Sequence, residues 1–261
     1  MILQSTAELS YTPQRIISVV PSQTELLFSL GLEEETIGIT KFCIHPKAWF
    51  RSKTRIGGTK KLDLGKIRSL QPDLIIANKE ENLREEIEPL ATEFPVWVTD
   101  INDLADALQM IRDVGELTGR KDEAQIIVTQ IQTNFQLLLQ KKPTIRTAYL
   151  IWKEPYMTIG ADTFIHAMMQ LAGLENVFAD KTRYPEISIA AIKEARTDLL
   201  LLSSEPFPFS EKHLHELQVL LPGCKILLAN GEMFSWYGSR LINAPQYFLQ
   251  LRNQISAVKT L

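Results

Sequence analysis

The chain is poor in the residues that carry metal, redox and phosphate chemistry. Only two cysteines occur, Cys43 and Cys224, neither with a second thiol at metal or redox spacing, so they read as buried or idle thiols. Lys and Arg number 28 against 31 Asp and Glu, a formal charge of −3, which leaves no basic footprint for a phosphate backbone or an anionic membrane surface. Nucleic acid is excluded as an expected partner. No run approaches the ~20 apolar residues of a membrane span. The stretch Met1 to Ser10 has neither a basic nor an apolar leader region, so the expectation is a cytoplasmic chain as encoded, or a periplasmic or cell-envelope protein whose leader has been removed. There is no Gly-x-Gly-x-x-Gly after a strand, no Gly-x-x-x-x-Gly-Lys, no Gly-x-Ser-x-Gly and no His-Glu-x-x-His. The chain is therefore not expected to be an enzyme.

What is present is an ordinary globular composition, 45% hydrophobic over 261 residues. At roughly 150 residues per domain this allows one to two domains, each able to bury its own core. Short β-branched or aliphatic runs alternate with helix-length amphipathic segments: Arg15–Val20, Thr36–Thr40, Leu74–Asn78 and Val96–Asp100, then Thr147–Trp152, Met157–Gly160, Leu199–Ser203 and Lys225–Asn230. Each run reads as a buried parallel strand. The pattern predicts an α/β fold of two lobes, each a mostly parallel sheet flanked by helices.

The halves also repeat each other. Asp63 to Ile76 can be laid on Ser188 to Leu201, matching Leu64 to Ile189, Ile67 to Ile192, Asp73 to Asp198 and Leu74 to Leu199. Earlier in each half a helix is expected to open at a capping residue and stop at glycine. Ser22 with Glu25 reads as a capping box for a helix ending at Gly31, and Asp162 opens a segment ending at Gly173. Between the halves, Asp122–Gln140 has no Gly or Pro and spaces Ile126, Ile127, Ile131, Leu137 and Leu138 as one long helix. A helix of about 20 residues spans roughly 30 Å, so such a rod would fix the separation of the lobes and leave a preformed cleft. The expected division is residues 1–119 as the first lobe, 120–142 as the connecting helix and 143–261 as the second lobe.

In such proteins the ligand sits between lobes, at loops leaving the carboxyl ends of strands. The segment Gly231 to Arg240 gathers Phe234, Trp236 and Tyr237 among Gly and Ser and ends in an arginine, which reads as a binding surface. Arg240 is placed to meet a ligand carboxylate or phosphate. Trp152, Glu154 and Tyr156 around Pro155, and Tyr184, occupy neighbouring loops. Among the histidines, His213 and His215 read as solvated surface and His166 as a packing residue. His45 lies in a cleft loop without a second imidazole, so it is no metal site by itself, though it can serve as an axial ligand to a metal already held by an organic ring.

Over about residues 14 to 256 the chain resembles the periplasmic-binding-protein family whose two lobes share a single backbone helix, and within it the cobalamin-binding branch that includes iron-siderophore and heme receptors. The resemblance rests on Arg15-Ile-Ile-Ser-Val-Val-Pro-Ser-Gln-Thr-Glu-Leu26, on Ile56-Gly-Gly-Thr59 followed by Leu64-Gly-Lys-Ile-Arg-Ser-Leu-Gln-Pro-Asp-Leu74, and on the long helix. It implies capture of a corrinoid or other metal chelate, bound without covalent attachment, for delivery to an ABC permease. It further implies that Thr59 stands where such receptors carry a tryptophan and Phe42 where they carry an aromatic. The glutamates with which they dock onto a permease are replaced by Gly65 and Ala190. The alternatives are an iron-siderophore or heme receptor, and a chelatase-like enzyme in which His45 and Glu154 would handle metal. A receptor for a free metal ion is disfavoured because the histidines do not converge.

Overall fold

The computed structural model describes residues 1–138 and 144–257, which fall into two compact units. The first holds Met1–Ile101, Ala105–Ile131 and a short segment returning from late in the chain, Trp236–Arg240. The second holds Asn102–Leu104, Gln132–Ser235 and Leu241–Leu261.

The first unit runs β1 (Ile2–Leu3), β2 (Ile16–Ser18), α1 (Pro21–Ser29), β3 (Thr36–Ile39), α2 (Lys47–Ser52), β4 (Thr54–Arg55), β5 (Gly57–Gly58), β6 (Lys61–Leu62), α3 (Leu64–Ser69), β7 (Leu74–Asn78), α4 (Arg84–Ala91), β8 (Val96–Thr99), α5 (Leu104–Leu117) and α6 (Lys121–Gln136), the last two reaching into the second unit. Its sheet has the order β1-β8-β7-β2-β3-β4, parallel throughout, with β5 and β6 as a separate antiparallel pair. The second unit runs β9 (Ile145–Leu150), α7 (Phe164–Leu171), β10 (Leu174–Asn176), α8 (Ile189–Glu194), β11 (Leu199–Ser203), α9 (Glu211–Leu220), β12 (Lys225–Ala229), α10 (Glu232–Ser235) and α11 (Ala244–Ala257). Its sheet, β10-β9-β11-β12, is also parallel. Every residue of β7 and of β11 is buried. A strand covered on both faces needs apolar side chains in succession, which is why these runs do not alternate.

The repeat is realised in hydrogen bonds. Asp63 caps α3 by accepting from the Lys66 amide at 2.9 Å, and Ser188 caps α8 by accepting from Ala191 at 3.1 Å. Both helices stop at a residue in the left-handed region, Gln71 at φ 47 and Arg196 at φ 50. The carbonyls left open at these ends are taken by an arginine from the start of a neighbouring strand. Arg15 Nε donates to Leu70 and Gln71 at 3.2 and 3.0 Å, while Arg146 Nη2 and Nε donate to Ala195 and Arg196 at 2.7 and 3.3 Å.

Four sequence expectations need correction. Helix α1 begins at Pro21 with Val20 before it, so Ser22 is inside the helix, its Oγ buried without a partner, and no capping box forms. Thr163, not Asp162, caps α7; Asp162 instead accepts from the Arg183 amide at 2.6 Å. Residues 157–160 form no sheet strand: Met157 makes isolated bridges to Trp152 and Glu186, and Gly160 lies against the Lys181 to Thr182 backbone, where a Cβ would fall 2.5 Å from a carbonyl oxygen. Helix α6 is continuous but ends at Gln136, with Leu137 and Leu138 in a turn; the expected end at Gln140 lies outside the described residues. Gly31 at φ 74 and Gly173 at φ 73 do end α1 and α7 as the sequence suggested. Among the described residues no helix is long and apolar enough to cross a membrane.

Candidate functional site

In the first unit, loops at the carboxyl ends of adjacent strands are tied together by a buried polar network. Asn78 Nδ2 donates to the Thr99 carbonyl at 3.1 Å, and Gln23 Nε2 to Thr99 Oγ1 at 2.6 Å. Asn82 Nδ2 reaches the carbonyls of Val19 and Thr59 at 3.2 and 2.9 Å, joining the loops after β2 and β5 to that after β7. Thr24 Oγ1 and Thr40 Oγ1 each lie 3.1 Å from Cys43 Sγ, so the loop after β3 is pinned onto α1. Burial pushes the Cys43 thiol above its ordinary pKa, which makes it a packing group rather than a nucleophile. These amides and hydroxyls escaped the sequence reading. Their one signal was polar side chains, Thr40, Asn78 and Thr99, closing runs of buried apolar ones.

On this base sit Phe42, His45 and Thr59. Phe42 is 50% exposed, its ring over Gly58, where a Cβ would come within 3.1 Å of ring carbon Cε2. Thr59 is half-buried and held through its carbonyl by Asn82. The imidazole of His45, half-buried, meets Trp236 with centroids 5.5 Å apart and planes at 70°. Trp236 is in turn covered by the Arg240 guanidinium, 4.7 Å from its ring centroid.

The loop aromatics of the segment 231–240 do not form the open surface expected of them. Phe234 is fully buried between Tyr149 and Phe248 at 5.2 and 4.7 Å, a core position of the second unit. Trp236 and Tyr237 are each only 6% exposed. Arg240 is engaged by Glu25 through two bonds, Nε to Oε2 at 2.9 Å and Nη2 to Oε1 at 2.5 Å, rather than offering its fork to a ligand. The reason is local: segment 236–240 lies on α1, with Gly238 against the Ser22 carbonyl and Ser239 Oγ accepting from Ser29 at 2.8 Å.

In the second unit the open ring is Trp152, 40% exposed at the end of β9 and edge-on to Phe207 at 5.7 Å. Phe207 continues into Phe209 and His213 at 4.7 and 5.3 Å. Glu154 is exposed beside it, at φ 66, and Tyr184 is half-buried with the Arg183 guanidinium 5.6 Å from its ring. Glu205 Oε1 accepts from Ser235 at 2.6 Å and so anchors the loop after β12. Each unit thus offers an open ring to a ligand, and a ring losing ~100 Å² supplies about 2.5 kcal/mol at 25 cal/mol per Å².

Two of the remaining histidines are structural. His166 Nδ1 lies 3.3 Å from Asn176 Nδ2, a satisfied packing position. His213, expected on the surface, is buried and accepts from the Ser210 amide at 3.0 Å as part of a capping box, while His215 is exposed. Burial lowers the pKa of both His166 and His213. Among the described residues no three His, Cys, Asp or Glu side chains gather as a metal site.

The periplasmic binding protein family model matches residues 16–218. A vitamin B12-binding protein of Pectobacterium carotovorum subsp. carotovorum strain PC1 is 24% identical over 254 residues, 94% of this chain and 90% of that protein. Among solved structures, the periplasmic vitamin B12-binding protein BtuF of Vibrio cholerae superposes with a TM-score of 0.78 at 20% identity, covering 93% of this chain and 99% of that one. The periplasmic heme-binding protein RhuT of Roseiflexus sp. RS-1, in apo form, gives 0.76 at 21%, over 91% and 98%. At these identities the two structures establish a shared fold.

Proposed function

This chain belongs to the periplasmic binding protein family, a family of solute-binding proteins, and from that premise we propose that it captures a corrinoid of cobalamin type for ABC-transporter uptake. The observation that carries the reading is an exposed ring on a strand-end loop of each unit, Phe42 in the first and Trp152 in the second. A relative named for vitamin B12 binding, aligned over 94% of the chain, supports the corrinoid among possible chelates. In the first unit Phe42 would offer ring contact and Thr59 a polar one; in the second, Trp152 would offer ring contact and Tyr184 and Glu154 polar ones. His45 would occupy an axial position on the metal, backed by Trp236 and Arg240. The metal arrives as cargo inside its ring, so the protein needs no cluster of its own. A second reading, heme or a ferric siderophore, is supported by the likeness to a heme-binding protein.

Delivery to a permease and work at the cell envelope belong to the same proposal. Gly65 and Ala190 are each the second residue of α3 and α8 and are exposed, so docking there would rest on backbone and neighbouring side chains rather than on carboxylates.

Titration with aquacobalamin, hemin and a ferric hydroxamate, followed by tryptophan fluorescence, tests the reading. Saturable 1:1 quenching by aquacobalamin in preference to the others is expected. Quenching by hemin or the hydroxamate alone would transfer the assignment to the second reading, and quenching by none would remove both.

A further inference from the structure

We propose that Trp236, Arg240 and Glu25 are positioning residues that aim the His45 imidazole, a role that rests on the axial reading of His45 above. The four side chains form one stack within the first unit. Glu25, on α1, accepts from two donors along one edge of the Arg240 guanidinium, Nε at 2.9 Å and Nη2 at 2.5 Å, with side-chain exposures of 20% for Glu25 and 12% for Arg240. A bidentate pair so shielded from water has one preferred geometry, and it fixes the guanidinium plane. The face of that plane covers Trp236 at 4.7 Å, and Trp236 meets His45 at 5.5 Å and 70°. The order from rigid helix to loop is therefore carboxylate, guanidinium, indole, imidazole.

Two further contacts locate the segment that carries this stack. Ser29 donates to Ser239 Oγ at 2.8 Å, and Gly238 lies so close to α1 that a Cβ would fall 2.5 Å from the Ser22 carbonyl. His45 itself stands on a loop fastened behind it by Cys43 between Thr24 and Thr40. A loop histidine gains an axial bond to a chelated metal only if its ring is held at one angle, because each free torsion has to be frozen on binding. The stack supplies that restraint before the ligand arrives. It also gives a role to an arginine turned toward a glutamate and an indole.

The test uses the full chain with two probes, aquacobalamin and hemin, reading the visible spectrum and the Kd of each complex for wild type, His45→Ala, Trp236→Leu, Trp236→Phe, Arg240→Met and the exchanged pair Glu25→Arg with Arg240→Glu. The proposal expects Trp236→Leu and Arg240→Met to move the visible band toward that of the His45→Ala complex and to weaken binding roughly tenfold or more, as lost outer-shell support does for metal-bound histidines. Trp236→Phe, which keeps a ring, should retain the band, whereas the exchanged pair, which keeps the ion pair but puts a carboxylate where the guanidinium covered the indole, should not. A His45→Ala change that Trp236→Leu and Arg240→Met fail to reproduce, in variants with wild-type circular dichroism, overturns the positioning role and leaves the axial reading standing. An unchanged spectrum in His45→Ala itself overturns the axial reading, and the positioning role with it. If Arg240→Met does not fold, Trp236→Leu alone decides between these results.

Discussion

Phe234 and Trp152 make opposite predictions although the sequence offers both as loop aromatics. Phe234 is wrapped by Tyr149, Tyr247 and Phe248, so Phe234→Ala should cost about 3–5 kcal/mol in urea unfolding. Trp152→Ala, at a 40% exposed ring, should leave stability nearly unchanged and weaken corrinoid binding severalfold; equal stability losses in the two variants would contradict this division. The buried histidines set an acid limit. Their folded pKa values lie below the ordinary value near 6.5, so the folded state prefers them neutral while the unfolded chain takes up protons first. The stability they contribute is complete above about pH 6.5 and is lost as pH falls through the lower folded values. Urea midpoints should therefore drop between pH 7 and 5, and His166→Gln should flatten that slope; a slope unaltered by the substitution would contradict the assignment. At this scale the sequence disclosed residue types but not directions. Nothing in the string Gly231 to Arg240 says that Arg240 turns to Glu25, because that contact joins positions far apart in the chain.

At the scale of the element, the repeated helix–turn–strand unit is the part of the fold most legible in the sequence. The overlay of Asp63–Ile76 on Ser188–Leu201 holds in the structure: the buried runs at Leu74 and Leu199 became strands at the expected positions, while the caps by Asp63 and Ser188 are supplied by the structure alone. Uniform apolar burial leaves a strong imprint on sequence, whereas the paired caps by Arg15 and Arg146 leave none, since a lone arginine before a strand looks like surface charge. The same limit explains the misplaced opening of α1: Ser22 and Glu25 have the spacing of a capping box, but Pro21 fits the first helical turn and shifts the start two residues earlier. Because the caps are equivalent, Asp63→Ala and Ser188→Ala should each cost about 1 kcal/mol in urea unfolding. Gln71→Gly and Arg196→Gly should each be neutral to stabilising by up to about 1 kcal/mol, as glycine relieves a left-handed backbone. Destabilisation by both glycine variants would show that the side chains, not the backbone, decide these turns.

As a whole molecule the chain is a family member whose cargo has to be read from its surface chemistry. Its weak net charge of −3 gives little electrostatic steering in either direction, so capture should depend only modestly on salt and mainly on ring contact. The family and the parallel α/β sheets were legible because motif order and buried strands persist at low identity. The ligand was not, because it depends on a few exposed side chains whose neighbours come from distant segments. The most direct measurement is therefore binding itself, by calorimetry of the purified protein with aquacobalamin beside hemin and ferric hydroxamate at equal concentration. The account predicts a single site for aquacobalamin, with a Kd in the micromolar range or tighter and markedly weakened by Trp152→Ala. Absence of heat and of spectral change with all three chelates would contradict it.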